Sequence, residues 1–198
     1  MEVLLSICLG FGLSAACGFR IFVPFLIMSI ASRAGHLDLA ASFDWIASDA
    51  AIVTFAVAAA LEIGAYFVPW VDNLLDSAAT PTAVVAGVLA SAATIDGTSP
   101  LVGWTLAVIG GGGLAGLIQG GTTLLRGASS LMTAGFGNPI VSSAEAGGAV
   151  TLASLAILVP LVAAMFALTV VLAVATQTAR AMGRSPAVAL AASADPPR

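Results

Sequence analysis

From Val3 to Ile30 the chain carries one charged side chain, Arg20, and four more apolar stretches follow it. A backbone polar group left unsatisfied in hydrocarbon costs several kcal/mol, so lipid admits only helices and closed barrels. These runs are too long and too continuous for barrel strands, which alternate over about 10 residues. The fold class is therefore all-α, a polytopic transmembrane helix bundle. Charge agrees: 8% of residues are charged and 60% are hydrophobic, with a mean hydropathy of +1.09, whereas about 25% charged is usual in soluble domains. All six basic residues are arginine, set against ten acids for a net charge of −4. No basic patch for nucleic acid and no polybasic lipid-binding segment arises from that balance, so the partner is the lipid bilayer and nucleic acid is excluded. Residues 1–184 read as one transmembrane helical domain. The Ser-, Pro- and Ala-rich tail at 185–198 has nothing to pack and is expected to be disordered.

The pattern predicts about five spans. The first runs from Val3 to Ile30 with Pro24 as a kink, and Cys8 and Cys17 within it read as buried small residues that cannot pair along one helix. A polar loop, Ala31 to Ser48, leads to a second span ending at Pro69, with Trp45 and Trp70 marking the two membrane interfaces. Thr80-Pro81 breaks the chain ahead of a short third span, Thr82 to Ile95, which at about 21 Å reads as half of a discontinuous helix. Asp96 to Pro100 is a turn, and the fourth span runs from Leu101 to Leu125, closed by Arg126. Gly112, Gly116 and Gly120 line one face of it, the small-residue spacing that lets helices approach closely in lipid. After a Phe136-Gly137-Asn138-Pro139 break the fifth span starts near Glu145 and reaches Thr178, kinked at Pro160. Gly10, Ser14 and Gly18 echo the glycine triplet of span four, a weak sign of an inverted repeat of the kind found in transporters. With five crossings, Arg33, Arg180, Arg184 and Arg198 share one side, and the positive-inside rule puts the N-terminus outside and the C-terminus in the cytoplasm of a cell's inner membrane.

Ionisable groups at membrane depth need a partner or a task, because each costs about 2.5–3.5 kcal/mol on insertion scales. Arg20 and Glu62 both fall about 20 Å from the cytoplasmic ends of their spans at 1.5 Å per residue. They are expected to pair, either to fix the contact of spans one and two or to gate a passage. At the opposite end the topology gathers Asp72, Asp76, Arg126, Asn138, Pro139 and Glu145. Two plainer readings stay open: Glu145 with Ser142 or Ser143 as the cap of a helix start, and Asp72 with Asp76 as the wet face of an interfacial helix. Against them stands the Gly-Asn-Pro break, since irregular backbone in a membrane is tolerated only where protein buries it or water reaches it.

Enzyme chemistry finds little support. There is no HExxH, one histidine, and no Cys/His cluster of zinc spacing. Gly110 to Gly113 lacks the Lys-Ser/Thr of a phosphate loop and reads as helix packing. No cofactor is implied.

At Gly18-Phe19-Arg20, Val68-Pro69-Trp70-Val71-Asp72 and Gly137-Asn138-Pro139 with Glu145, the chain resembles a family of small bacterial and plastid integral membrane proteins, domain of unknown function 4126. The resemblance covers about residues 5 to 180 and implies a multi-span helical protein with no agreed activity. The residues themselves point to a small transporter or channel, expected as a homo-oligomer, that moves a cation or proton-coupled solute through an acidic cavity lined by Asp72, Asp76, Asn138 and Glu145. The alternative is a membrane scaffold or assembly factor whose buried charges only fix helix packing.

Overall fold

The computed structural model describes residues 2–65 and 69–183, with the side chains of 69–77 and of most residues from 174 to 183 outside the description. Every regular element among the described residues is helical. In chain order these are α1 (Glu2–Cys17), α2 (Phe22–Arg33), a 3-10 segment (Ala41–Ala47), α3 (Asp49–Ala65), α4 (Pro69–Thr94), α5 (Pro100–Leu106), a π segment (Ala107–Gly112), α6 (Gly113–Thr133), α7 (Asn138–Leu158) and α8 (Pro160–Gly183). Two continuous helices, Pro100–Thr133 and Asn138–Leu158, are long and apolar enough to cross a membrane unaided. The 3-10 segment with α3 makes a third crossing only if their 68° bend lies within one span. The all-helical bundle expected from hydropathy is the fold, and its composition is that of a membrane protein.

The first apolar run does not cross as one helix. It reverses at Gly18 to Ile21. α1 lies antiparallel to α7, with Arg20 beside Ser142 and Gly12 against Ala156. α2 lies parallel to α7, with Val23 packed by Ala149, and Ile27 to His36 facing Ser154 to Leu158. The two halves therefore form a hairpin. Gly18 permits it: a Cβ there would lie 2.7 Å from the Ala115 carbonyl oxygen and 2.7 Å from Ile118, so only glycine lets the end of α1 press against α6. Pro24 is not a mid-span kink. It occupies the first turn of α2, where a missing N–H removes no intrahelical bond.

This reversal also changes which ends of the chain lie together. Ser6 Oγ is 3.4 Å from the Asp96 carbonyl oxygen and Val3 packs at Gly97, while Ala40 N donates to Ala93 O. The start of α1, the first loop and the Asp96–Pro100 turn consequently share one end of the bundle, which an uninterrupted first span would not allow.

Three other boundaries differ from the sequence reading. α4 runs unbroken through Pro81 for 26 residues, so the short third span is part of a full-length helix rather than half of a discontinuous one. Thr82 Oγ1 donates to Ala78 O at 2.7 Å in the turn beside the proline, and proline inside a membrane helix is tolerated where neighbouring groups meet the freed carbonyl. The fourth span continues two turns past Arg126 to Thr133. The fifth begins at Asn138 rather than near Glu145, and Pro160 separates α7 from α8. A Cβ on Gly12 would sit 2.8 Å from Ala156 Cβ and 2.9 Å from Ala163 Cβ. Those two atoms are thus at most about 6 Å apart, although seven residues of straight helix span about 10.5 Å, and the chain bends sharply at Val159.

The core is made of small side chains. Ala15, Ala16, Ala86, Ala90, Ala93, Ala115, Ala153, Ala156 and Ala163 are buried together with Leu13, Cys17, Met28 and Ile118. α4 also comes close to the π segment and α6: a Cβ on Gly87 would be 2.5 Å from Ala115 Cβ and 2.8 Å from Gly111 O. Ser14 Oγ reaches Gly87 O at 2.5 Å and Ser91 Oγ at 2.7 Å, adding hydrogen bonds where the helices meet. Of the glycine triplet, Gly112 and Gly116 pack on Val84 and Val88, and Gly120 meets nothing within 4 Å. Replacing Gly87 by Val is expected to lower the melting temperature of the detergent-solubilised protein by at least 10 °C or abolish its monodisperse peak, whereas Gly120→Val leaves both nearly unchanged.

Candidate functional site

The α6–α7 connection is tight. Ala134 (φ 51°) and Gly135 (φ 89°) take left-handed backbone, and Pro139 then falls in the first turn of α7, where proline is preorganised. Asn138 is tied back to Ser130 through its side-chain nitrogen at 2.9 Å. This hairpin sets α6 and α7 antiparallel, so that Arg126, seven residues before the end of α6, meets Glu145, seven residues into α7. Both lie about 10 Å inside the turn at 1.5 Å per residue.

Glu145 is 4% exposed and Arg126 3%. Arg126 Nε donates to Glu145 Oε1 at 3.0 Å, and its Nη2 pairs with Oε2, a bidentate contact. Arg20, 1% exposed, enters from the α1–α2 reversal: its Nη2 lies 3.2 Å from Glu145 Oε2 and donates to the carbonyl and hydroxyl of Ser142 at 3.0 and 2.6 Å. One carboxylate therefore serves two guanidiniums. Charge-assisted, bidentate bonds of this kind are the strong ones, and they offset desolvation only because the geometry is met. Glu145 is thus no helix cap: α7 starts two turns earlier.

Glu62 supplies the second negative charge. Its Oε1 accepts from Ile21 N at 2.8 Å and its Oε2 from Phe22 N at 3.0 Å. A carboxylate from α3 thereby caps the start of α2, where no side chain of α2 itself does so, and it does so at the positive end of the helix dipole. The expected ion pair of Arg20 with Glu62 is not formed: the guanidinium's carboxylate is Glu145, and Glu62 binds the two amides that follow Arg20 instead. Glu62 also lies within the electrostatic field of Arg20 and Arg126.

Beside Glu62 is a cavity of about 390 Å³, walled by Ile21 and Phe22 from α2 and its approach, by Ala58, Leu61 and Ala65 of α3, and by Ala78, Ala79 and Thr82 of α4. Glu145 is not among its walls, Asn138 is engaged at the α6–α7 turn, and the side chains of Asp72 and Asp76 fall outside the described residues. Sequence reasoning placed the cavity at Asp72, Asp76, Asn138 and Glu145; among the described residues, the acid that lines this cavity is Glu62. Among the described residues, no three His, Cys, Asp or Glu side chains gather as a metal site would require. Ser142 was legible only as a possible cap. Its spacing of three from Glu145, which puts both on one face of α7, is the signal that it shares the arginine site.

A family model, Domain of unknown function (DUF4126), matches residues 7–180. The chain belongs to the DUF4126 family. The matched region holds Arg20, Glu62, Arg126, Ser142 and Glu145, so the whole ion cluster falls inside the DUF4126 domain, and the family carries no assigned activity. No curated protein and no solved structure shows significant similarity to the chain.

Removing one partner of a buried ion pair leaves charge uncompensated and costs about 3–5 kcal/mol. Glu145→Leu is expected to destabilise by that amount. Arg33→Gln removes only the exposed contact to Asp49 and is expected to cost less than about 1 kcal/mol. Thermal and denaturant unfolding in detergent compares the two.

Proposed function

We propose that this DUF4126 protein is a small inner-membrane transporter in which a proton-coupled solute passes the Glu62 cavity. The observation that carries the reading is the half-buried Glu62 carboxylate, which among the described residues is the acid that lines a 390 Å³ cavity where the first apolar run reverses. An ionisable group inside a membrane bundle is expensive and points to a path for ions, protons or substrate. Broken helices with an anion at the N-terminal end of one half are a recurrent way to build such a site. In this reading Arg20, Glu145 and Arg126 form the rigid wall behind the cavity. Glu62 is the group that exchanges protons, and its hold on the Ile21 and Phe22 amides couples that exchange to the position of α2.

For orientation, the end that holds the start of α1, the first loop and the Asp96–Pro100 turn carries Arg33 as its one arginine, alongside Asp38, Asp44, Asp49 and Asp96. The C-terminal region has Arg180, Arg184 and Arg198. The positive-inside rule then favours an external N-terminus and a cytoplasmic C-terminus, with α8 turned away from the N-terminal end at Val159. Reporter fusions at the two termini should therefore read opposite sides.

The competing reading is a scaffold, and the direct pairing of Arg20 and Arg126 with Glu145, which ties α6, α7 and the α1–α2 reversal together, favours it. Liposomes containing the purified protein and an internal pH dye discriminate. Transport requires solute-dependent proton movement that Glu62→Gln reduces at least tenfold and that Asp96→Asn, in an exposed turn, leaves intact. Absence of any such signal across a broad panel of ions and solutes assigns the protein to scaffolding.

A further inference from the structure

Apolar walls surround the Glu62 carboxylate. Of the nine described residues lining the cavity, only Glu62 and Thr82 bear polar side chains, and the rim residues Leu61, Ala78 and Thr82 are exposed on the outer surface of α3 and α4. In a bilayer that surface faces hydrocarbon, so the cavity receives molecules that already partition into lipid. The sign of the charge it selects follows from its walls. Arg20 and Arg126 do not line it and bind Glu145, so among the described residues the charged group that faces the space is the Glu62 carboxylate. A carboxylate facing an otherwise apolar space favours an organic cation with apolar substituents, which matches both the charge and the walls. The volume lies in the range of small-molecule sites, about 300–1,000 Å³.

We infer that the Glu62 cavity binds lipophilic organic monocations, which enter sideways from the bilayer between α3 and α4. The inference rests on the transporter reading for its physiological use, but the site can be tested without it. Glu62 carries either a proton or the cation, so the two compete. The other groups whose charge bears on Glu62 are Arg20 from the α1–α2 reversal, Arg126 from α6 and the Cys17 thiol from α1. The described cavity residues of α4 contribute no titratable group.

The test uses tetraphenylphosphonium and its charge-reversed isostere tetraphenylborate with the full chain in detergent. Tetraphenylphosphonium should bind, with an apparent Kd that rises up to tenfold per unit fall in pH on the acid side. Glu62→Gln should weaken it at least tenfold, and Ala58→Phe, which fills the cavity and leaves the carboxylate in place, should do the same while the protein stays monodisperse. Tetraphenylborate should not bind at this site. Equal binding of the two isosteres, no binding of the cation, or affinity unchanged by Ala58→Phe overturns the inference. Liposome flux separates the two ideas: binding without flux leaves the cation site and removes transport, and Glu62-dependent flux of another solute without cation binding does the reverse.

Discussion

A guanidinium in hydrocarbon needs a carboxylate, and here two of them share one. Glu145 draws Arg126 from α6 and Arg20 from the end of α1 to the same point on α7. Three elements distant in sequence are thereby fixed against each other where apolar packing alone would distinguish poorly between registers. Within lipid there is no hydrophobic drive to bring helices together, so specific polar contacts and close packing carry more of the choice of partner. The cluster also explains why the chain can turn at Gly18–Ile21. Backbone amides exposed at such a reversal would be costly, and Glu62 accepts two of them.

Close packing does the remaining positioning. Alanine fills most of the interior, and Gly87, Gly111 and Gly18 allow backbones to touch where any side chain would intrude. Ser14 and Ser91 place hydroxyls at that contact, satisfied across the helix pair rather than by water. The small-residue seam holds α1 at Ser14 and the chain at Gly18, and the charged cluster takes hold of the chain just beyond at Arg20.

Hydropathy made the helical class legible because it reports which segments avoid water, and that is decided residue by residue. Direction is not. The reversal after Cys17 has the composition of the helices on either side: Gly18 allows the close contact there, but the amides it bares are held by Glu62, some forty residues further on, which no local pattern announces. Pro81 looked like a break because proline usually is one, but a long helix, Pro69–Thr94, continues through it. The Gly-Asn-Pro turn was readable, since left-handed and proline-started backbone has a signature, yet its consequence was misplaced. Beginning α7 at Asn138 moves Glu145 two turns into the bundle, from a cap to the centre of an ion cluster. Glu62 was recognised as buried, but its partners are backbone groups, which sequence does not display.

The π segment Ala107–Gly112 lies between α5 and α6 in one continuous helix. A π turn holds one residue more than the α turn it replaces, so everything beyond it is rotated by about 100° relative to a regular helix of the same length. Arg126 points at Glu145 only with that extra residue accommodated. The glycine-rich stretch therefore works as a phase adjuster: a chain shorter by one residue here would reach the same arginine orientation with ordinary α geometry. One that kept its length but straightened into α-helix would swing the guanidinium off its carboxylate.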